Sequence, residues 1–220
     1  MLKRSRLLIP VAIYGILYMA AFRWLEMNPR KITIIYSSID SKIPFCEYFI
    51  IPYLLWFFYI AAAVIFFIYF NDSKTECINM FYNLAIGMTL FIIISYVFPN
   101  GLQLRPTTFA RDNIFVTMCK HLWEADTSTN VFPSIHVYNS MAIFFSLNEC
   151  AKLKKHVLVR YGVLTLTISI VLSTMFLKQH SIIDVVAGIG LSVVSYLILY
   201  KVPEKNVVHA PRQQVVSRKI

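Results

Sequence analysis

Six apolar runs divide this chain of 220 residues: Leu7–Leu25, Phe49–Phe70, Ile78–Phe98, Val131–Leu147, Val157–Leu177 and Ile182–Tyr200. Each is close to the ~20 residues that an α-helix needs to cross a hydrocarbon core of ~30 Å. The expected fold class is therefore all-α, a polytopic membrane protein with six transmembrane helices in an antiparallel bundle, as one domain over residues 1–220. Composition agrees, with 58% of residues hydrophobic and a mean hydropathy of +0.63, against ~45–50% apolar residues in a soluble domain. The basic start "MLKRSR" resembles a signal peptide, but the apolar stretch runs on through "YMAAFRWLEM" with no small-x-small cleavage site. A retained first span is expected.

The net charge of +10 is read by its division between loops, because Lys and Arg gather on the cytoplasmic side. With an inside N-terminus, the inner segments hold Lys3, Arg4, Arg6, Lys74, Lys152, Lys154, Lys155, Arg160, Lys201, Lys205, Arg212, Arg218 and Lys219, thirteen of the 21 basic residues. Both termini are expected in the cytoplasm, and no nucleic-acid partner is expected. The tail 202–220 reads as a mobile basic end near anionic lipid. Cys46, Cys77, Cys119 and Cys150 have no CxxC or metal spacing. A Cys46–Cys119 bridge is open on the outer side, with unpaired cysteines the expected case.

Short connections ("NDSKTEC", "AKLKKH", "KQH") predict antiparallel packing of the second span with the third, the fourth with the fifth, and the fifth with the sixth. Two longer outer segments remain. Residues 26–48 read as an interfacial helix or re-entrant turn, and residues 99–130 carry turn signals and a short amphipathic helix around Phe115–Trp123.

Ionisable residues near spans need a reason, since they are expensive in lipid and face cavities or pathways. Arg105 follows the third span, His136 opens the fourth, Lys178 and His180 lie between the fifth and sixth, and Asp184 is in the first turn of the sixth. The charge-based topology puts all five at the outer face. His180 and Asp184 are four apart, so on a helix the carboxylate reaches the ring, fixes its tautomer and frees the other nitrogen as a nucleophile or base. A helix starting at Pro133 would turn its first amides and the Ser134 hydroxyl outward, where they suit a phosphate. The Arg105 guanidinium matches phosphate oxygens. No metal or other cofactor is needed for such a phosphoryl-transfer site.

The pairs and spacings Arg105–Pro106, Pro133-Ser134-Ile135-His136, and Ser173-Thr174 with His180 and Asp184 resemble the three signatures of the type 2 phosphatidic acid phosphatase superfamily, KxxxxxxRP, PSxH and SRxxxxxHxxxD. The resemblance spans about residues 95–192. Phe98 stands where the family has Lys and Thr174 where it has Arg. These departures are similar to the branch containing inositol phosphorylceramide synthases and related lipid phosphotransferases. Lys178 could replace some lost charge, or the site could hold a phosphodiester.

The resemblance implies that His180 attacks phosphorus while Asp184 holds its ring. It implies that Arg105, the amides near Ser134 and Lys178 steady the oxygens, and that His136 protonates the leaving lipid oxygen. Water or a lipid alcohol acceptor then attacks the phosphohistidine. The expected substrate is a lipid phosphate of phosphatidate or isoprenoid type among membrane lipids. The expected location is the plasma membrane with an extracytoplasmic site. Hydrolase and transferase stay open, and a catalytically silent relative is the reading from another class. A vanadate-dependent haloperoxidase shares the constellation but is expected as a larger soluble protein. His121, His156 and His209 read as surface residues, Trp24, Trp56 and Trp123 as interfacial belt and packing, and Arg111 with Asp112 as a solvated pair.

Overall fold

A computed structural model describes residues 8–28 and 30–202. The basic tail, His209 and the charges at Lys3, Arg4, Arg6, Lys205, Arg212, Arg218 and Lys219 lie outside the described residues. The described chain is mostly helical: α1 (Leu8–Met27), α2 (Ile50–Ile65), α3 (Lys74–Val97), α4 (Ile114–Ala125), α5 (Ile135–Glu149), α6 (Val157–Phe176) and α7 (Ile182–Tyr196). One π-helical turn continues α2 over Phe66–Phe70 and another continues α7 over Leu197–Lys201.

Among the described residues, five helices are long and apolar enough to cross a membrane: Leu8–Met27, Glu47–Phe70, Lys74–Val97, Val157–Phe176 and Ile182–Lys201. The expected fourth span is shorter. Its helix, α5, has 15 residues, about 22 Å at 1.5 Å per residue. Its sequence "IHVYNSMAIFFSLNE" carries small and polar side chains that suit packing on protein rather than on lipid tails. Val137, Tyr138, Asn139, Ser140, Ala142, Ile143, Ser146 and Leu147 are all buried.

The central place of α5 changes the packing read from loop lengths. It packs on α2, α3, α6 and α7. As expected, α5 and α6 lie against each other. By contrast, α2 meets α3 chiefly at the π-helical turn that joins them, and α6 and α7 scarcely touch along their lengths. A short connection fixes direction, but α5 has taken the contact face of both partners.

Polar side chains tie this centre together. Tyr138 Oη of α5 donates to the Asn83 carbonyl of α3 at 2.8 Å, and Ser195 Oγ of α7 donates to Asn83 Oδ1 at 2.8 Å. Gly87 on α3 is required for that approach, because a Cβ there would fall 1.9 Å from the Tyr138 ring.

The helix starts follow from capping. Ser73 accepts the Glu76 amide, Asn113 the Val116 amide and Ser134 the Val137 amide, each filling a donor that a helix start leaves open. The segment expected as a helix or re-entrant turn instead forms strand β1 (Thr33–Ile34), which pairs in parallel with β2 (Asn100–Gly101). Asn100 then holds the run into α5, its Oδ1 accepting the amides of Val131 and Phe132 at 2.8 and 2.9 Å. The amphipathic helix of the second long segment is present as α4. All four cysteines are free.

Candidate active site

The starts of α5 and α7 meet at one end of the bundle, and this junction sets the site. The Ser134 amide donates to the Asp184 carbonyl at 3.1 Å. Gly188, one turn further along α7, lies so near that a Cβ would be 2.8 Å from the Ser134 carbonyl oxygen. Helix α5 begins at Ile135 with Ser134 as its cap, not at Pro133, since Ser134 carries the oxygen that accepts the Val137 amide. His136 is thereby the second helical residue.

His180 stands before α7 rather than on it. Ser181 caps α7 and Asp184 completes a capping box, its Oδ2 accepting the Ser181 amide at 2.9 Å. His180 Nδ1 is 3.5 Å from the same Oδ2. The pair is therefore made by the cap and not by two turns of one helix face. Asp184 is fully buried, and neither its Oδ1 nor His180 Nδ1 has a hydrogen-bond partner. A separation of 3.5 Å with open valences on both sides leaves room for the ring to close on the carboxylate when charge develops.

The centres of the His136 and His180 rings are 5.8 Å apart. Reacting atoms in a productive complex approach to ~3–3.5 Å, so one phosphoryl group can touch both rings. Tyr53 and Trp56 of α2 pack against His136 with their rings tilted to it, at centre distances of 4.8 and 4.4 Å. Trp56, expected as a belt or packing residue, is thus part of this site's wall. Both histidines line a cavity of about 280 Å³ with Tyr53, Trp56, Asp126 and Gln179, and with Tyr18 and Phe22 of α1.

Arg105 lies behind that wall. Its Nη1 donates to the Trp123 carbonyl at 2.9 Å, and its Nη2 to the Asp126 carbonyl at 2.5 Å and to Gln179 Oε1 at 2.6 Å. The guanidinium also lies over the Trp123 ring at 5.7 Å. Its Nε is buried without a partner. Burial pushes the Arg105 guanidinium below its usual range, with Asp126 and Tyr53 opposing the shift, and it stays charged.

Lys178 is not brought to the cavity. It is buried, and its Nζ donates to the carbonyls of Asp40 (2.8 Å) and Ile43. Burial lowers the affinity of this ammonium for its proton, and Asp40 opposes the effect. Ser134 is buried and occupied as a cap. At the two positions where the signatures have cations, Phe98 packs edge-on against Phe132, and Thr174 returns its hydroxyl to the Val171 carbonyl.

Sequence reasoning missed Asp126 and Asp40. Asp126 Oδ2 accepts Tyr53 Oη at 2.6 Å and Gln179 Nε2 at 3.1 Å, which places a carboxylate in the wall facing the histidines. Asp40 is buried and binds the start of α7, accepting Ser181 Oγ (2.7 Å) and the Ile182 amide (2.8 Å). Only its place in a turn-rich segment could have pointed to it. Arg111 pairs with Glu47 at 3.2 Å rather than with Asp112. His121 and His156 are exposed, as expected.

The sequence model of the PAP2 superfamily matches residues 80–207, more than half of the chain. The chain belongs to the PAP2 superfamily. No curated protein and no solved structure shows significant similarity to it. PAP2 members are generally phosphatases or phosphotransferases, which supports that general type of activity here. The PAP2 match runs from within α3 through α7, so the α2 residues against His136 and the whole of α1 fall outside it.

Proposed function

We propose that this PAP2 member is an integral membrane enzyme that removes or transfers the phosphoryl group of a lipid phosphate through a phosphohistidine on His180. The observation that carries the reading is the facing pair His136 and His180 in one cavity, with Asp184 buried behind the second ring. A six-span layout with cytoplasmic termini is part of this proposal, with α5 as the sixth crossing. The site would then open outside the plasma membrane.

In the first step the free nitrogen of His180 bonds to phosphorus while the phosphorus–oxygen bond to the lipid breaks. Asp184 stabilises the cationic ring that results. His136 enters protonated and gives its proton to the departing oxygen. The rings of Tyr53 and Trp56 pack against the imidazole and hold it at the cavity. In the second step the oxygen of water, or of a lipid alcohol, bonds to phosphorus while the nitrogen–phosphorus bond breaks and returns its electron pair to His180, and the attacking group gives its proton to His136. Arg105 contributes positive charge from behind Gln179 as charge spreads on the phosphoryl oxygens. No step uses a metal ion.

Transfer from a phosphodiester is the second reading, and Asp126 favours it. A carboxylate in the wall, with Phe98 and Thr174 in place of two cations, disfavours a dianionic monoester more than a singly charged diester.

The test is phosphate release by the detergent-purified protein and its His180→Ala variant on a panel of lipid phosphates, with chelator present and with or without a lipid alcohol. Release by the wild type alone supports the hydrolase. Transfer to the alcohol from a phosphodiester donor, without free phosphate, supports the second reading. Activity equal in the His180→Ala variant, or dependent on added metal, refutes the mechanism.

A further inference from the structure

Helix α1 is held differently from the other long helices. Only Leu25 of its 20 residues is buried, and its main packing partner is α3. Its polar link to α3 is made by Tyr14, whose Oη donates to the Ala85 carbonyl at 2.9 Å and hydrogen-bonds the Thr89 hydroxyl at 2.9 Å. Two cavities follow the seam this loose packing leaves. The upper is the histidine cavity, bounded on α1 by Tyr18, Met19 and Phe22. The lower, about 410 Å³, is bounded on α1 by Pro10, Val11, Tyr14 and Gly15, and otherwise by Val64 of α2 and by α3 residues from Ile78 to Met88.

Val11, Tyr14, Gly15, Tyr18, Met19 and Phe22 recur at steps of three, one, three, one and three, which puts them on a single helix face. The two cavities are therefore stacked along one stripe of α1, less than a turn apart. Among the described residues, the lower one has no charged residue in its wall, and its Tyr14 hydroxyl is already hydrogen-bonded. From Phe22 to Val11 the stripe runs about 16 Å at 1.5 Å per residue, close to half of the ~30 Å hydrocarbon core.

We propose that the hydrocarbon tail of the substrate lies in this seam between α1 and α2–α3. The seam would thereby select lipid phosphates with a chain of about one leaflet's length. The inference rests on reading the histidine cavity as the head-group site. Alignment carries it: the polar end of the stripe is the histidine pair, and the described residues that line its continuation are largely apolar. A much longer polyisoprenoid tail would have to leave the seam at Pro10.

Gly15 gives a clean probe, because a Cβ there meets nothing within 4 Å and the added side chain enters the lower cavity. Gly162 on α6 also has nothing within 4 Å and does not line the seam, so Gly162→Trp is the control. Binding of octyl phosphate and hexadecyl phosphate is measured by the ligand-induced rise in unfolding temperature, in the His180→Ala background so that neither probe is consumed. The expected result is tighter binding of hexadecyl than of octyl phosphate, with Gly15→Trp weakening only the hexadecyl ester, by roughly tenfold or more. Gly162→Trp should change neither.

Equal binding of the two esters, or equal losses in the Gly15 and Gly162 variants, would overturn the proposal. Phosphate release from both esters by the unsubstituted protein is followed separately. Chain-dependent binding without release leaves the tail path standing and removes the hydrolase reading instead.

Discussion

Gly188→Ala tests whether the α5–α7 junction sets the active geometry. The new methyl would lie 2.8 Å from the Ser134 carbonyl oxygen and 3.2 Å from Val137 Cβ, where ordinary contact begins at 3.4 Å. The carbonyl cannot turn aside, because it accepts the Tyr138 amide at 3.0 Å in the first turn of α5. The two helices must part by about 0.6 Å. Overpacking of this kind costs ~1–3 kcal/mol, offset by up to ~1 kcal/mol from replacing glycine with alanine inside a helix. The net loss of stability is thus small, about 0–2 kcal/mol. The effect on catalysis is larger, because the movement separates His136 on α5 from His180 and Asp184 at the start of α7. Catalytic groups must be held within ~0.5 Å, and an error of 1 Å can reduce the rate ~10²-fold. We expect kcat to fall by roughly 10- to 100-fold, with a modest drop in unfolding temperature. Gly190→Ala, on the same helix with nothing within 4 Å, should keep full activity and gain slightly in stability. Equal activity in the two variants would refute the reasoning.

Asp184→Asn should lower kcat by about 10²-fold or more, as the ring loses the charge that stabilises it, and should also lose ~1 kcal/mol of stability from the capping box. Kinetics and thermal unfolding of one preparation check both effects, and a drop in stability without a drop in kcat would remove Asp184 from the mechanism. Asp126→Asn should lower KM for a dianionic monoester more than for a diester, most clearly at low ionic strength. Equal changes for both substrates would show that the carboxylate does not face the phosphate. Lys178→Met should lower the unfolding temperature, since hydrogen bonds from a charged group contribute ~1.5–3 kcal/mol, while leaving KM unchanged. A rise in KM would return Lys178 to the phosphate site.

The long helices and the ionisable residues gathered at their ends were legible because both are local properties. Apolar length gave the long helices, and Pro133–His136 and His180–Asp184 stood out against a chain with little charge. What escaped was set by partners distant in sequence. That α5 would be the central helix depends on Asn83, Gly87 and Ser195 meeting Tyr138, which no single window contains. Trp56 reads as one more aromatic in a greasy span until α2 brings it against His136. Lys178 suits a phosphate by charge and position, yet the 37–46 segment folds over it and offers two carbonyls. Even the correct pairing of His180 with Asp184 was reached by the wrong geometry, because the spacing of four is shared by a helix face and by a residue preceding a capping box.

That last substitution has a physical consequence. Ser134, Ser181, Asp184 and Asp40 all satisfy amides at helix starts, and the two candidate catalytic rings are attached directly to those starts. An amide left open there would destabilise the helix, and the same opening would release His136 or His180. The interactions that hold the fold at this end and those that aim the rings are therefore not separable in the way a surface-loop site would allow. Substitutions elsewhere in the bundle, such as those that loosen the Asn83 and Tyr138 contacts, can lower stability while the caps keep the rings in place. Substitutions at the caps must lower stability and turnover together, and a cap variant that lost one without the other would show that the rings are positioned by something else.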